Sequence, residues 1–159
     1  MRHRFFAHLV WTTRQRAPLI DLARAEFLAR SLPRIALQER GQVWAMGVVS
    51  THVHLLVRLD PSTAIPRLVQ RLKGGTAYLS AKEAIGNPQR PLRWTKGYNL
   101  ESVSPKSVLA ATRYIEGQSS HHPGEAIAGW RPPRTFSVAS ATDAEQSLQR
   151  LTDGEERAS

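Results

Sequence analysis

The sequence predicts an α+β fold of ferredoxin-like type: one domain, an antiparallel sheet, helices packed on one face. Three observations predict it. Apolar residues recur with period two in some segments and 3.6 in others, in the order β-α-β-β-α-β-α. The chain has 159 residues, enough for one sizeable core and too few for two full domains. Hydrophobic residues make up 41%, as in a globular protein, and no internal repeat is visible.

RHRFFAHLVWTT (2–13) is rich in aromatic and β-branched residues and reads as the first strand, ended by the polar RQRAP. Residues 21–40 are helical, with Leu22, Ala25, Leu28, Ala29 and Leu32 on one face. Pro33 is expected to kink that helix or begin a second one, and Gly41 stops it. VWAMGVVS (43–50) is a second strand and THVHLLVRLD (51–60) a third. The short link at Ser50 and Thr51 suits an antiparallel pair or one long bent strand. A second helix spans residues 64–84, its stripe Ile65, Leu68, Val69, Leu72 and Leu79 interrupted by Gly74 and Gly75. After the loop GNPQRP, the stretch PLRWTKGYNLESVS (91–104) is an edge strand or a broken pair of strands. Ser104 as N-cap and Pro105 at the first helical position open the last helix, expected to run over 105–122 until Pro123. The domain is placed at 1–130. Residues 131–159 form a polar tail, expected to be mobile with at most one short helix; its 137–159 part holds 5 acidic and 2 basic side chains.

Lys and Arg total 22 against 13 Asp and Glu, a formal charge of +9 with a pI near 11.0. The excess is concentrated: residues 1–96 hold 16 basic and 5 acidic side chains (+11), residues 97–159 hold 6 and 8 (−2). A GC-rich coding bias explains arginine over lysine, but not basic over acidic. Such a body fits a polyanion, nucleic acid above all. The absence of cysteine excludes a disulfide framework and thiolate metal sites. No apolar run approaches the ~18 residues of a membrane span, and MRHRFF lacks the apolar stretch of a signal peptide. The expected location is the cytoplasm, at the nucleoid.

His52 and His54 stand in an otherwise apolar strand, and the period of two puts both imidazoles on one face. Alone, such a pair is more often a solvent-facing or hydrogen-bonded feature than a pair of ligands. A metal held by two histidines wants a third protein ligand. The last helix offers Tyr114 and Gln118, four residues apart on one face: a phenol nucleophile and a hard amide oxygen. His121 and His122 follow on the same helix, as DNA contacts or an exposed helix end. Tyr78 and Tyr98 are rival nucleophiles. Lys73 with Gly74 and Gly75 could bring backbone to phosphate, although two glycines match no P-loop. Arg14, Arg16, Arg90, Arg93, Trp94 and Lys96 mix charge with an aromatic ring, as single-strand binders do.

His52, His54, Tyr114 and Gln118 together resemble the HUH superfamily, named for His-hydrophobe-His. More closely, the chain looks like the single-tyrosine transposases of small insertion sequences and the REP-associated tyrosine transposases. The resemblance runs over roughly residues 5–125, through HLVWTTRQRAPLI, VVSTHVHLLVRL, RLVQRLKGGTA, PLRWTKGY and YIEGQSSHH. Ser50-Thr51 stands where such proteins usually carry Pro followed by Asp or Asn. The resemblance implies a transposase that cleaves and rejoins single-stranded or hairpin DNA through a covalent phosphotyrosine at Tyr114. His52, His54 and Gln118 would be the metal ligands. Imidazoles alone would suit zinc as well, and it is the resemblance that selects Mg²⁺ or Mn²⁺. It also implies a homodimer whose sites combine histidines and tyrosine from different subunits. Two other readings stay open: an idle hairpin-binding protein of the same fold, and a metal-dependent phosphodiesterase that uses water.

Overall fold

A computed structural model describes residues 5–133. Its four strands are β1 (Phe5–Thr12), β2 (Gly41–Val49), β3 (His52–Leu59) and β4 (Asn99–Val103), all antiparallel in the order β2-β3-β1-β4. The helices are α1 (Leu22–Gln38), α2 (Ile65–Lys82), α3 (Val108–Glu116) and α4 (Gln118–His121). This is the ferredoxin-like α+β arrangement. β2 and β3 form a hairpin, with Val49 paired to His52 across a turn at Ser50-Thr51.

Alternation along the strands separates two cores. Leu9 and Trp11 of β1, Met46 and Val48 of β2, and Val53, Leu55 and Val57 of β3 pack under α1 and α2. This is the expected helical cover. Phe6, Ala45 and Leu56 point the other way, against Val108 and Ile115 of α3, so a helix covers the second face as well as the one expected. The histidines of β3 share that second face.

Several local expectations are corrected. Pro33 lies inside α1, which runs on as one helix because Leu28, Leu32, Ile35 and Ala36 are buried on both sides of it. Asp21 caps that helix by accepting from the Arg24 amide at 2.9 Å. Leu22, counted with the apolar face, is 37% exposed. Gly74 and Gly75 do not interrupt α2. Gly75 instead lets α1 approach, since a methyl there would stand 3.2 Å from Ile35 Cδ1. Only residues 99–103 of the fourth strand segment form a strand, joined upstream by an isolated bridge from Thr13 to Trp94. Ser104 makes no capping bond; its hydroxyl meets Ser107 instead, and residues 105–107 form a 3₁₀ turn before α3. The last helix is not continuous either, because Gly117 separates α3 from the single turn of α4. Trp130 is buried against the larger core near the end of the described chain. Of the polar tail, residues 134–159 lie outside the described residues.

Candidate metal and nucleophile site

The site grows from the second face of the sheet. His52 and His54 are buried, and their rings meet edge to face with centroids 5.0 Å apart. β1 contributes a third imidazole: His8 Nε2 lies 2.8 Å from His54 Nδ1, and the two rings stack at 5.0 Å. Sequence reasoning passed over His8, although it interrupts the apolar β1 with the same period that marks His54.

α3 and α4 close over this cluster because β2 carries glycine at position 47, opposite His54. A methyl there would collide with the Ile115 carbonyl and come within 2.8 Å of Gln118 Cγ. Gly47 is thus the seat on which the helix end rests. Tyr114 remains 46% exposed, its ring centroid 6.1 Å from those of both His8 and His54 and 4.8 Å from that of His121. Gln118 turns inward and is 1% exposed. Its Nε2 donates to the Tyr114 carbonyl at 3.1 Å, while its Oε1 is buried without a hydrogen-bond partner. The helix break at Gly117 therefore gives the two residues different environments rather than one shared face.

Burial holds the pKa of His8 and His52 below the ordinary 6.5 and pushes that of His54 to about 3. For His54 the neighbouring imidazoles, His52 first, add to the effect. At His52, Glu125 opposes it, as does a hydrogen bond that Gln118 accepts only from the protonated ring, while His122 and Arg16 reinforce it. Neutral imidazoles keep a lone pair for a metal. The other side of His52 is also furnished. Thr51 Oγ1 stands 2.9 Å from His52 Nδ1 and donates to Glu125 Oε1 at 2.7 Å. Glu125 Oε2 lies 3.9 Å from His52 Nδ1 and 3.6 Å from His122 Nδ1. Glu125 gave no signal in the sequence, because its contact depends on a backbone bond from Ser50 N to its own carbonyl at 2.8 Å.

Do these residues suit a hard divalent cation? Among the described residues no group of three or more His, Cys, Asp or Glu side chains is arranged to hold one. The set of two imidazoles and an amide falls outside that description. It supplies two neutral nitrogens and one buried oxygen left without a partner, which fits a metal that keeps open positions.

The remaining candidates divide. Arg14, Arg16, Arg90, Arg93 and Lys96 are exposed. Gln15 and Arg16 both adopt positive φ (57° and 52°), costly for side chains other than glycine, in the turn that brings Arg16 towards His52. His122 stacks edge-on against His52 at 5.0 Å. Trp94 is not a free stacking platform: its Nε1 donates to Thr76 at 3.1 Å and its ring packs on Trp11. Lys73 donates to the carbonyls of Thr95 and Gly97, at 2.6 and 2.8 Å, and so braces the loop before β4. The amides at Gly74 and Gly75 belong to a regular helix and form no phosphate cradle. Tyr78 lies on α2, across the sheet from the histidines, and Tyr98 just before β4.

An exposed tyrosine thus stands over buried histidines on a ferredoxin-like sheet. The chain belongs to the IS200-like transposase family, whose model matches residues 2–118. It is 34% identical over 119 residues to the ISDra2 transposase TnpA of Deinococcus radiodurans, covering 70% of this chain and 81% of that protein. A solved structure of a candidate transposase from Deinococcus radiodurans R1 is 30% identical, with a TM-score of 0.58 over 74% of this chain and 93% of that one. A REP-associated tyrosine transposase bound to a REP hairpin shares the fold at 12% identity, with a TM-score of 0.58 over 77% and 72%. The family's work is cutting and transferring DNA strands in transposition and recombination. Among the described residues no helix is long and apolar enough to cross a membrane.

Proposed function

We propose that this transposase cleaves and rejoins single-stranded DNA, at hairpin ends, through a covalent bond between the DNA and Tyr114. Residues 1–130 would be the working domain and 131–159 an accessory tail. The observation that carries the reading is the half-exposed Tyr114 ring beside His8, His54 and His121, above a buried Gln118 whose Oε1 has no partner.

His52, His54 and Gln118 would hold Mg²⁺ or Mn²⁺. When bound, such an ion neutralises charge developing on a non-bridging phosphate oxygen. Tyr114 has access to a strand that the buried histidines lack. Its phenol oxygen attacks phosphorus in line and loses its proton to solvent, and the leaving sugar oxygen takes one up as its bond to phosphorus breaks and the phosphotyrosine forms. The bond energy is conserved in that ester, so the reverse attack by a DNA hydroxyl rejoins a strand without ATP. Arg14, Arg16, Arg93 and Lys96, with His121 and His122, offer cation and hydrogen-bond contacts to the strand. A homodimer and a place at the nucleoid belong to this reading, supported by family membership and by the charge of residues 1–96.

Incubation with a labelled single-stranded hairpin and Mn²⁺, resolved on a denaturing gel, tests it. A protein–DNA adduct should form with the parent and vanish in Tyr114→Phe, with DNA affinity kept within a few fold. A Tyr114→Phe protein that still cuts would make water the nucleophile. A parent that binds hairpins and never forms an adduct would be an idle binder.

A further inference from the structure

The direction of one hydrogen bond near the site is fixed by chemistry. A carboxylate has no proton to give, so across the 2.7 Å between Thr51 Oγ1 and Glu125 Oε1 the threonine must donate. A hydroxyl has one proton. Towards His52 Nδ1, 2.9 Å away on its other side, Thr51 Oγ1 can therefore only accept. That requires the proton of the His52 ring to sit on Nδ1 and leaves the lone pair on Nε2.

We propose that Thr51 and Glu125 are positioning residues, which hold His52 in its Nδ1–H tautomer and so present Nε2 as the metal-binding nitrogen. Metal-ligating imidazoles are commonly oriented through the second nitrogen in this way. Here the carboxylate acts through a hydroxyl rather than directly, since Glu125 Oε2 stays 3.9 Å from the ring. The fold makes the contact durable: Ser50 N donates to the Glu125 carbonyl at 2.8 Å, and the Thr51 carbonyl accepts from Thr13 N at 2.8 Å. Glu125 lies beyond residues 2–118, so this support is drawn from outside the segment that matches the family. His54 is held differently, by His8, where either ring could donate.

The proposal rests on His52 being a metal ligand, and two readouts separate its failure from the failure of that reading. In ¹⁵N spectra of the metal-free full chain, with His52 assigned by comparison with His52→Ala, its Nδ1 should carry the proton. Thr51→Ser should keep that state. Thr51→Val, nearly the same shape, should lose it. Glu125→Ala should reverse it, because the freed hydroxyl can then donate to Nδ1. Mn²⁺ titrations followed by electron paramagnetic resonance should show affinity about 10–100-fold weaker in Thr51→Val and Glu125→Ala, and parental affinity in Thr51→Ser. A parent His52 protonated on Nε2, or a tautomer unchanged in Thr51→Val, overturns the proposal. So does Mn²⁺ affinity that falls in His52→Ala but stays parental in Thr51→Val and Glu125→Ala. If the tautomers behave as stated and the parent takes up no Mn²⁺, the metal reading fails and the positioning role falls with it.

Discussion

In β3, Val53, Leu55 and Val57 face α1 and α2, whereas His52, His54 and Leu56 face α3. The two sets alternate along one strand, share its hydrogen bonds, and are almost equally buried. They differ in what burial does to them. Leu55 leaves water at a gain of ~1.5–3 kcal/mol. His54 is buried at a cost, visible in a pKa driven to about 3. The apolar face makes the fold stable enough to carry that cost, and the polar face uses it to keep imidazoles neutral and available.

Substitutions on the two faces should therefore separate stability from chemistry. The largest stability effect belongs to the apolar face. Leu55→Ala leaves a cavity between sheet and helices and should cost about 2–5 kcal/mol in urea unfolding. Cleavage per folded molecule should change little. Gly47→Ala, on the polar face, should cost about 1–3 kcal/mol, since its methyl must displace the backbone of α3 at Ile115. Here the loss of cleavage and of Mn²⁺ affinity should exceed what unfolding explains, because Gln118 shifts with the helix.

A third effect concerns charge outside both faces. Affinity for single-stranded DNA should fall with salt, with a log–log slope of about 0.7 per phosphate contacted. Deleting residues 137–159, net negative, should leave binding equal or slightly tighter. Salt-insensitive binding would contradict the electrostatic reading.

The effect of pH is absent near neutrality and confined to the acid range. His54 in the fold takes a proton only near pH 3, whereas the unfolded chain takes one near 6.5. Between those values the unfolded state binds more protons, so stability is full above pH 6.5 and falls as the pH drops towards 3. His8 and His52 act in the same direction. In His54→Gln the acid limb of a urea-midpoint profile should be shallower, and an unchanged limb would show that His54 is not buried neutral.

The contrast between faces also explains what could be read from the chain alone. Period-two alternation placed His52 and His54 on one face, and the same pattern was available for His8. Element order predicted the sheet because β2 and β3 adjoin across a two-residue turn and the helices intervene elsewhere. Pro33 and the Gly74-Gly75 pair misled, since tertiary burial along α1 and α2 outweighs local propensity. The role of Gly47 is legible only once Ile115 is seen resting on it. Glu125 sits 74 residues from the Thr51 it accepts from, so no local pattern announces it. The split at Gly117 left Tyr114 outside and Gln118 inside, which helical spacing by itself could not distinguish.

The central claim, that the polar face serves a tyrosine nucleophile, is tested most directly by mapping the adduct. Protein incubated with a short single-stranded hairpin and Mn²⁺ is digested with nuclease and trypsin, and the peptides are sequenced by mass spectrometry. The account predicts a nucleotide mass on the peptide that begins after Arg113, at Tyr114. A nucleotide on Tyr78 or Tyr98, or cleaved DNA with no modified peptide, would contradict it.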